Sequence, residues 1–362
     1  MRAVRPPVPA ASSRRAVHRS ARAQRGAVTL ISALLLPVLL GAAAFAIDLA
    51  WGRVVRNELQ NAADTAALAG AHHLDSASPT PTRWSDAQQQ ALSSVSLNAA
   101  AGAVLQQAQV ETGYWNPHDS APRLIPLPHT PTAQEVPAVQ VTVRKAQGLN
   151  GGPVNTFVAR LWSVQGMAVS ARAVAARVAP GRVQAGGVFP LAISQCLYNQ
   201  YWNRLASPAG PRLDPLTGQP IVFRIGSSYH YGSCETGQWS SLQTGSNSAS
   251  QVRDMIRDGS LLPLGINDPI WVQSGTETTL YQAVHSCSEA GNRKCAQVVI
   301  PVVQSLTPAS LTRIQAFACL RLLDADPGGK YVLAQMSTSC APPQGGGIGP
   351  DLGVLLPPRL MG

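Results

Sequence analysis

Six cysteines are the residues best equipped for chemistry in this chain: Cys196, Cys234, Cys287, Cys295, Cys319 and Cys340. They can cross-link or hold a metal. Their number is even, and all six lie in the C-terminal half, beyond a long apolar run. That points to disulfides formed in an oxidising compartment. The sequence does not choose among the possible pairings; neighbour pairing, with Cys287 to Cys295 as the tightest loop, is one of them. A zinc site would recruit His285 beside Cys287 and Cys295, but no CxxC pair stands behind it, so it ranks below disulfides.

The other clusters do less. Ile225 to Glu235, IGSSYHYGSCE, gathers serines, His230 and an acid. A nucleophile, base and acid must meet in space, which local clustering does not arrange. Turn-rich β structure around Cys234 accounts for the same residues. Asp324 and Asp326 precede Pro327-Gly328-Gly329 and read as solvated carboxylates at a turn. His72 and His73 are adjacent, so on a helix they face different ways and do not share a metal. GxSxG, GxxxxGKS/T, HExxH and the DxSxS adhesion pattern are all missing. The expectation is therefore no catalytic residue, no cofactor and no metal.

What must position these residues begins with Ala27–Ile47, AVTLISALLLPVLLGAAAFAI, a stretch without a charge. As a helix it spans about 31 Å, the thickness of a bilayer core. Asp48 and Trp51 follow, an acid and an amphipathic ring where headgroups begin. Residues 1–26 carry seven arginines and no acid, against a formal net charge of +10 for the whole chain. Nucleic-acid binding is a poor explanation, because this tail has no aromatic to stack on bases. The positive-inside rule explains it as a cytoplasmic tail beside a membrane helix, with the bulk of the chain outside. A cleaved signal peptide is the rival, with cutting at Ala42-Ala43-Ala44 or Ala44-Phe45-Ala46. The apolar run continues past that point without turn residues, which favours an uncleaved anchor.

Beyond the run the helical pattern persists to about Leu74, with Val55, Leu59, Ala62, Ala66 and Ala69 on one stripe. Two readings stand: an amphipathic helix packed on its own domain, or an assembly seam for other membrane-anchored subunits. Ser76 to Pro81 reads as a breaker and Asp86 to Gln107 as a second helix. Strands are expected over Val110–Trp115, Ala138–Lys145 and Met167–Val178. Asn116 to Pro137 reads as a surface loop, and Asn155 to Val164 as a short helix. Further strands are expected over Val188–Ser194, Ile221–Ile225, Gln297–Gln304, Arg313–Leu323 and Tyr331–Ser337. Ala249–Arg257 is a helix capped by Ser248 or Ser250 and closed by Gly259. Only 13% of residues are charged, with 31 glycines and 29 prolines, which suits an exported β- and loop-rich protein. The expected fold class is α+β: a single transmembrane helix continuing into an amphipathic helix, then a β-rich, disulfide-containing region. The boundaries are 1–26 basic tail, 27–47 membrane helix, 48–107 helical stalk and 108–180 small β-rich region. Residues 181–340 make the cysteine-containing domain, and 341–362, rich in Gly and Pro, a disordered tail.

Gln24 to Ala71, QRGAVTLISALLLPVLLGAAAFAIDLAWGRVVRNELQNAADTAALAGA, resembles the N-terminus of TadG-like proteins of the Tad (Flp-type) pilus assembly system. The matching elements are Arg25-Gly26, Asp48 at the far end of the run, and Gln60, Asp64 and Ala66 to Ala71. A looser likeness extends through VQVTVR, AVSARAVA and Gly237 to Gly259. The resemblance implies a non-catalytic protein of the cytoplasmic membrane that builds, retains or tethers an adhesive pilus. Its implied partners are other Tad assembly proteins or pilin-like subunits, with no nucleic acid. Related pseudopilins are cut after a glycine and carry a glutamate five residues on. A cut at Gly26 puts Ile31 there, so this chain is not read as a pilin. The rivals are a membrane-anchored adhesin or receptor with a deep pocket, and a secreted hydrolase.

Overall fold

A computed structural model describes residues 21–75, 79–132, 134–203, 206, 209–226, 234, 237–274, 277–341 and 343–361. The chain forms two compact units: residues 1–54 with 155–167, and residues 55–154 with 168–362. The expected basic tail lies almost wholly outside the described residues. So does most of the 225–235 cluster, His230 included.

In the first unit, helix α1 (Ala21–Ala71) starts before the apolar run and passes through it, Pro37 included. Leu30, Leu34, Leu39, Phe45 and Ile47 are each more than half exposed. A helix apolar on every side needs a cover that the chain itself does not supply. Among the described residues, α1 is the one helix long and apolar enough to cross a membrane. The other described residues of this unit, 155–167, carry strand residues at their ends, Asn155 and Gly166–Met167, and a 3-10 turn between them, Ala159–Trp162.

The second unit holds the remainder of α1. Helix α2 (Pro81–Val95) starts on Thr80, whose side chain accepts the Arg83 N–H, with proline in the first turn. It begins and ends earlier than the expected Asp86 to Gln107. Thr80-Pro81 is a helix start, since proline gives up only an amide that the first turn leaves unbonded anyway. After Val95 the chain makes a tight hairpin, Ala99–Ala100 against Ala103–Val104, with Ala101 and Gly102 at positive φ. A five-stranded antiparallel sheet follows, ordered Arg359–Leu360, Val169–Ala176, Val136–Lys145, Gln109–Trp115, Leu124–Pro126. Val141 pairs with Val110 on one side and Ala173 on the other, so small and β-branched residues share one face. Gly70 of α1 meets that face. A Cβ on it would lie 2.8 Å from the Ala87 carbonyl of α2 and 3.1 Å from Val139. The opposite face buries Trp115, Val136, Ala138, Val174 and Ala176 with Leu356.

The cysteine-containing part is built on a mixed sheet. Its order is Val222–Gly226, Tyr331–Met336, Ser310–Asp326, Gln297–Val303, Leu191–Ser194, Gly237–Trp239, with Pro269–Val272 on the outer half of Ser310–Asp326. Leu191–Ser194 and Gln297–Val303 are parallel, and the other pairs are antiparallel. Among the described residues, helices α3 (Gln195–Tyr201), α4 (Ala249–Asp258) and α5 (Thr278–Cys287) accompany it. The capping box of α4 joins Ser248 and Gln251, and Gly259 closes the helix at φ 79°. The core gathers Tyr198, Trp239, Ile300 and Phe317, all buried.

Residues 341–362, expected to be a disordered tail, are instead built into the unit over 343–361. Gly345–Gly346 pairs with Arg182–Val183, Leu356 N–H donates to the Val178 carbonyl, and Arg359–Leu360 closes the edge of the first sheet. Leu352, Val354 and Leu356 are buried. The glycines serve close approach rather than disorder: a Cβ at Gly345 would clash with the Arg182 carbonyl, and one at Gly349 with that of Pro180.

Candidate functional site

Asp48 is the first residue after the apolar run and is almost fully buried. Its Oδ1 accepts the Phe157 N–H at 2.6 Å, and its Oδ2 accepts those of Val158 at 3.1 Å and Ala159 at 2.7 Å. These amides open the 3-10 turn Ala159–Trp162. The first amides of a helical turn have no partner within it, and they attract negative charge. Val158, the local cap residue, supplies no side-chain bond. Asp48 provides the cap from more than a hundred residues away in sequence.

The surroundings reinforce that contact. Trp51, one turn further along α1, meets Phe157 edge-on at 6.0 Å between ring centroids. Gly52 leaves room for Met167, whose Sδ would lie 2.7 Å from a Cβ at that position. Thr156 closes the loop on itself: its N–H donates to the Gln165 carbonyl and its hydroxyl to that of Val164. The sequence placed Asp48 in the headgroup region but gave no sign of what it would bind. Loop 155–167 forms one short 3-10 turn where a short helix was expected.

The candidate seam on α1 is largely covered. Val55, Leu59, Ala62 and Ala66 have no exposed surface, and neither do Ala63 and Ala67; Ala69 is half-buried. The stripe is therefore packed largely within this chain, with Ala69 at its edge. Small residues are there because α2 and the Val136–Lys145 strand come close, as Gly70 shows. Nearby polar contacts pin the same stretch: Gln60 donates to Asp64 and to the Arg172 carbonyl, and Glu58 accepts the Ala101 N–H.

All six cysteines are paired, as Cys196–Cys234, Cys287–Cys295 and Cys319–Cys340. Each joins sequence neighbours. Cys287–Cys295 closes a loop after α5, and Cys319–Cys340 ties the long central strand to the start of the C-terminal segment. His285, the residue a zinc site would recruit, instead places Nδ1 2.7 Å from Asp324 Oδ1. Asp326 accepts the Gly328 and Gly329 N–H groups at the hairpin turn. Among the described residues no cluster of three or more His, Cys, Asp or Glu side chains could hold a metal. Glu289, just after α5, receives both Nε and Nη2 of Arg321, at 2.7 and 2.9 Å. That guanidinium holds its carboxyl below the usual range, against the opposing effect of burial.

An open apolar groove of about 750 Å³ runs beside Trp84, Tyr114, Pro128 and His129. It lies mainly on α2 and the first sheet, and a second opening of about 340 Å³ lies in the cysteine-containing part beside Gly187, Asp258, Cys295 and Cys340.

The architecture defines a class: an α+β protein built on one long, apolar N-terminal helix of membrane-spanning length, followed by a β-rich region with three disulfides. Part of the chain is similar to Tad pilus-assembly families. Residues 26–73 match the family described as Flp pilus-assembly TadE/G-like, and residues 69–175 match Tad-like Flp pilus-assembly. The first match covers the helix, and the second covers the end of α1, α2 and the sheet as far as Val169–Ala176. The loosely similar Gly237 to Gly259 lies outside both. No curated protein and no solved structure matches the chain.

Proposed function

We propose that this protein is a non-catalytic, membrane-anchored component of Tad (Flp-type) pilus assembly that tethers the pilus or its machinery in the cell envelope. The observation that carries the proposal is the run of Tad pilus-assembly matches from residue 26 to residue 175, laid over a helix with an uncovered apolar surface. Arginines before the apolar run and oxidised cysteines after it support a cytoplasmic N-terminus and an extracytoplasmic C-terminus, with the cytoplasmic membrane as first partner. Other Tad proteins or pilin-like subunits are the remaining partners. With the α1 stripe buried, they are met by the outer surface of the second unit.

Deleting the gene in the native host and counting surface pili tests the role. Loss of pili, restored by the full chain but not by one lacking residues 27–47, is the expected result. Normal piliation in the deletion strain would contradict it.

A further inference from the structure

The loop 155–167 carries more exposed apolar surface than a solvated loop needs. Phe157 is 54% exposed, Leu161 76% and Val164 49%. Its height along α1 is fixed by Asp48, which binds its backbone one residue past Ile47. One residue of helix is about 1.5 Å, so the loop's anchored backbone sits level with the end of the apolar run. Trp51, a ring type favoured at the membrane interface, packs on Phe157 at the same level. Arg160 in the loop and Arg53 on the helix are both exposed and offer cations to lipid phosphates.

We infer that this loop is a second membrane-contacting element, lying in the lipid headgroup layer with Phe157, Leu161 and Val164 against the acyl boundary. The inference rests on reading residues 27–47 as a membrane span. The occupant is lipid rather than protein because the loop's exposed apolar side chains are held level with the end of the span and are accompanied by arginine. Asp48 then has a task beyond capping: its charge is spent on three amides where the membrane begins, and it ties a distant segment of chain to the surface. Such a contact would resist tilting of the helix, since the chain meets the membrane at two points rather than one.

Full-length protein, oxidised and reconstituted in phosphatidylcholine–phosphatidylglycerol nanodiscs, provides the test. Nitroxide labels are placed one at a time through Leu161→Cys, Leu35→Cys in the span and Leu216→Cys on an exposed turn. Val164→Cys replaces Leu161→Cys if that variant mispairs its disulfides. Collision with a water-soluble nickel chelate is measured in nanodiscs and in detergent. Nickel access at position 161 at least roughly threefold below that at 216, in nanodiscs only, is expected for an interfacial side chain. Equal access at 161 and 216, with 35 protected, would overturn the inference and leave the span intact. Nickel access at 35 would sink the span reading and this inference together. Protection at 161 that persists in detergent would mean that protein, not lipid, covers the loop.

Discussion

Asp48 spends its charge on backbone amides. A carboxylate can accept several strong hydrogen bonds at once, which an asparagine of the same shape cannot match. Asp48→Asn is therefore expected to free the 3-10 turn, raising amide exchange at Phe157, Val158 and Ala159 by roughly five- to tenfold, with insertion of α1 unchanged. Protection equal to the parent protein's would show that Trp51 and Met167 hold the loop unaided. Glu289 is a second charge with a defined partner. Arg321 lowers its folded-state pKa below the ordinary 4.5, so this stabilisation is present above that value and is lost as pH falls through the folded one. Arg321 is nearly half exposed, so screening keeps the effect at about 1 kcal/mol or less. Glu289→Gln should flatten the acid side of the stability profile, measured by chemical denaturation between pH 3 and 7. An unchanged acid slope would mean the pair adds nothing.

Helix α1 is one element with two environments, and its sequence shows both. From Val28 to Ile47 the side chains are almost all apolar on every side. From Val55 the pattern narrows to a stripe of alanines that the chain buries. Ala66→Asp should cost about 3 kcal/mol or more, because an unpaired carboxylate would enter a closed core. The expected outcome is faster proteolysis of the whole second unit, while Asn61→Asp on the exposed side changes little. Loss of partner binding by Ala66→Asp with unchanged protease resistance would revive the seam. Elements with strong periodicity were legible in the sequence: the Val136–Lys145 and Tyr331–Met336 strands, and α4 with its Ser248 cap. Helix α2 was displaced because Thr80-Pro81 carries a start signal that looks like a breaker. The seam could not be decided, because an alanine stripe looks the same whether its own sheet or a second chain covers it. Asp48's partners were illegible for another reason: they are backbone amides, which leave no mark on side-chain identity.

At the scale of the molecule, the C-terminal segment and the disulfides hold the second unit together. The glycine and proline content of the run after Cys340 reads as a disordered tail, yet Leu352, Val354 and Leu356 alternate into the core and Arg359–Leu360 completes the first sheet. Cys319–Cys340 closes a sequence separation of 21 at the head of that segment. Replacing both cysteines with alanine should cost about 3 kcal/mol and release residues 341–361 to early proteolysis. Cleavage beginning elsewhere would deny the segment that dependence.

The central claim is that the chain stays anchored by its N-terminal helix. It is tested most directly by the N-terminal sequence of the protein recovered from carbonate-washed membranes of its native host. The account predicts a membrane-retained chain that still carries residues before Ala27. A chain starting near Phe45 or Ile47 in the soluble fraction would contradict it, because the helix would then be a removed signal and not an anchor.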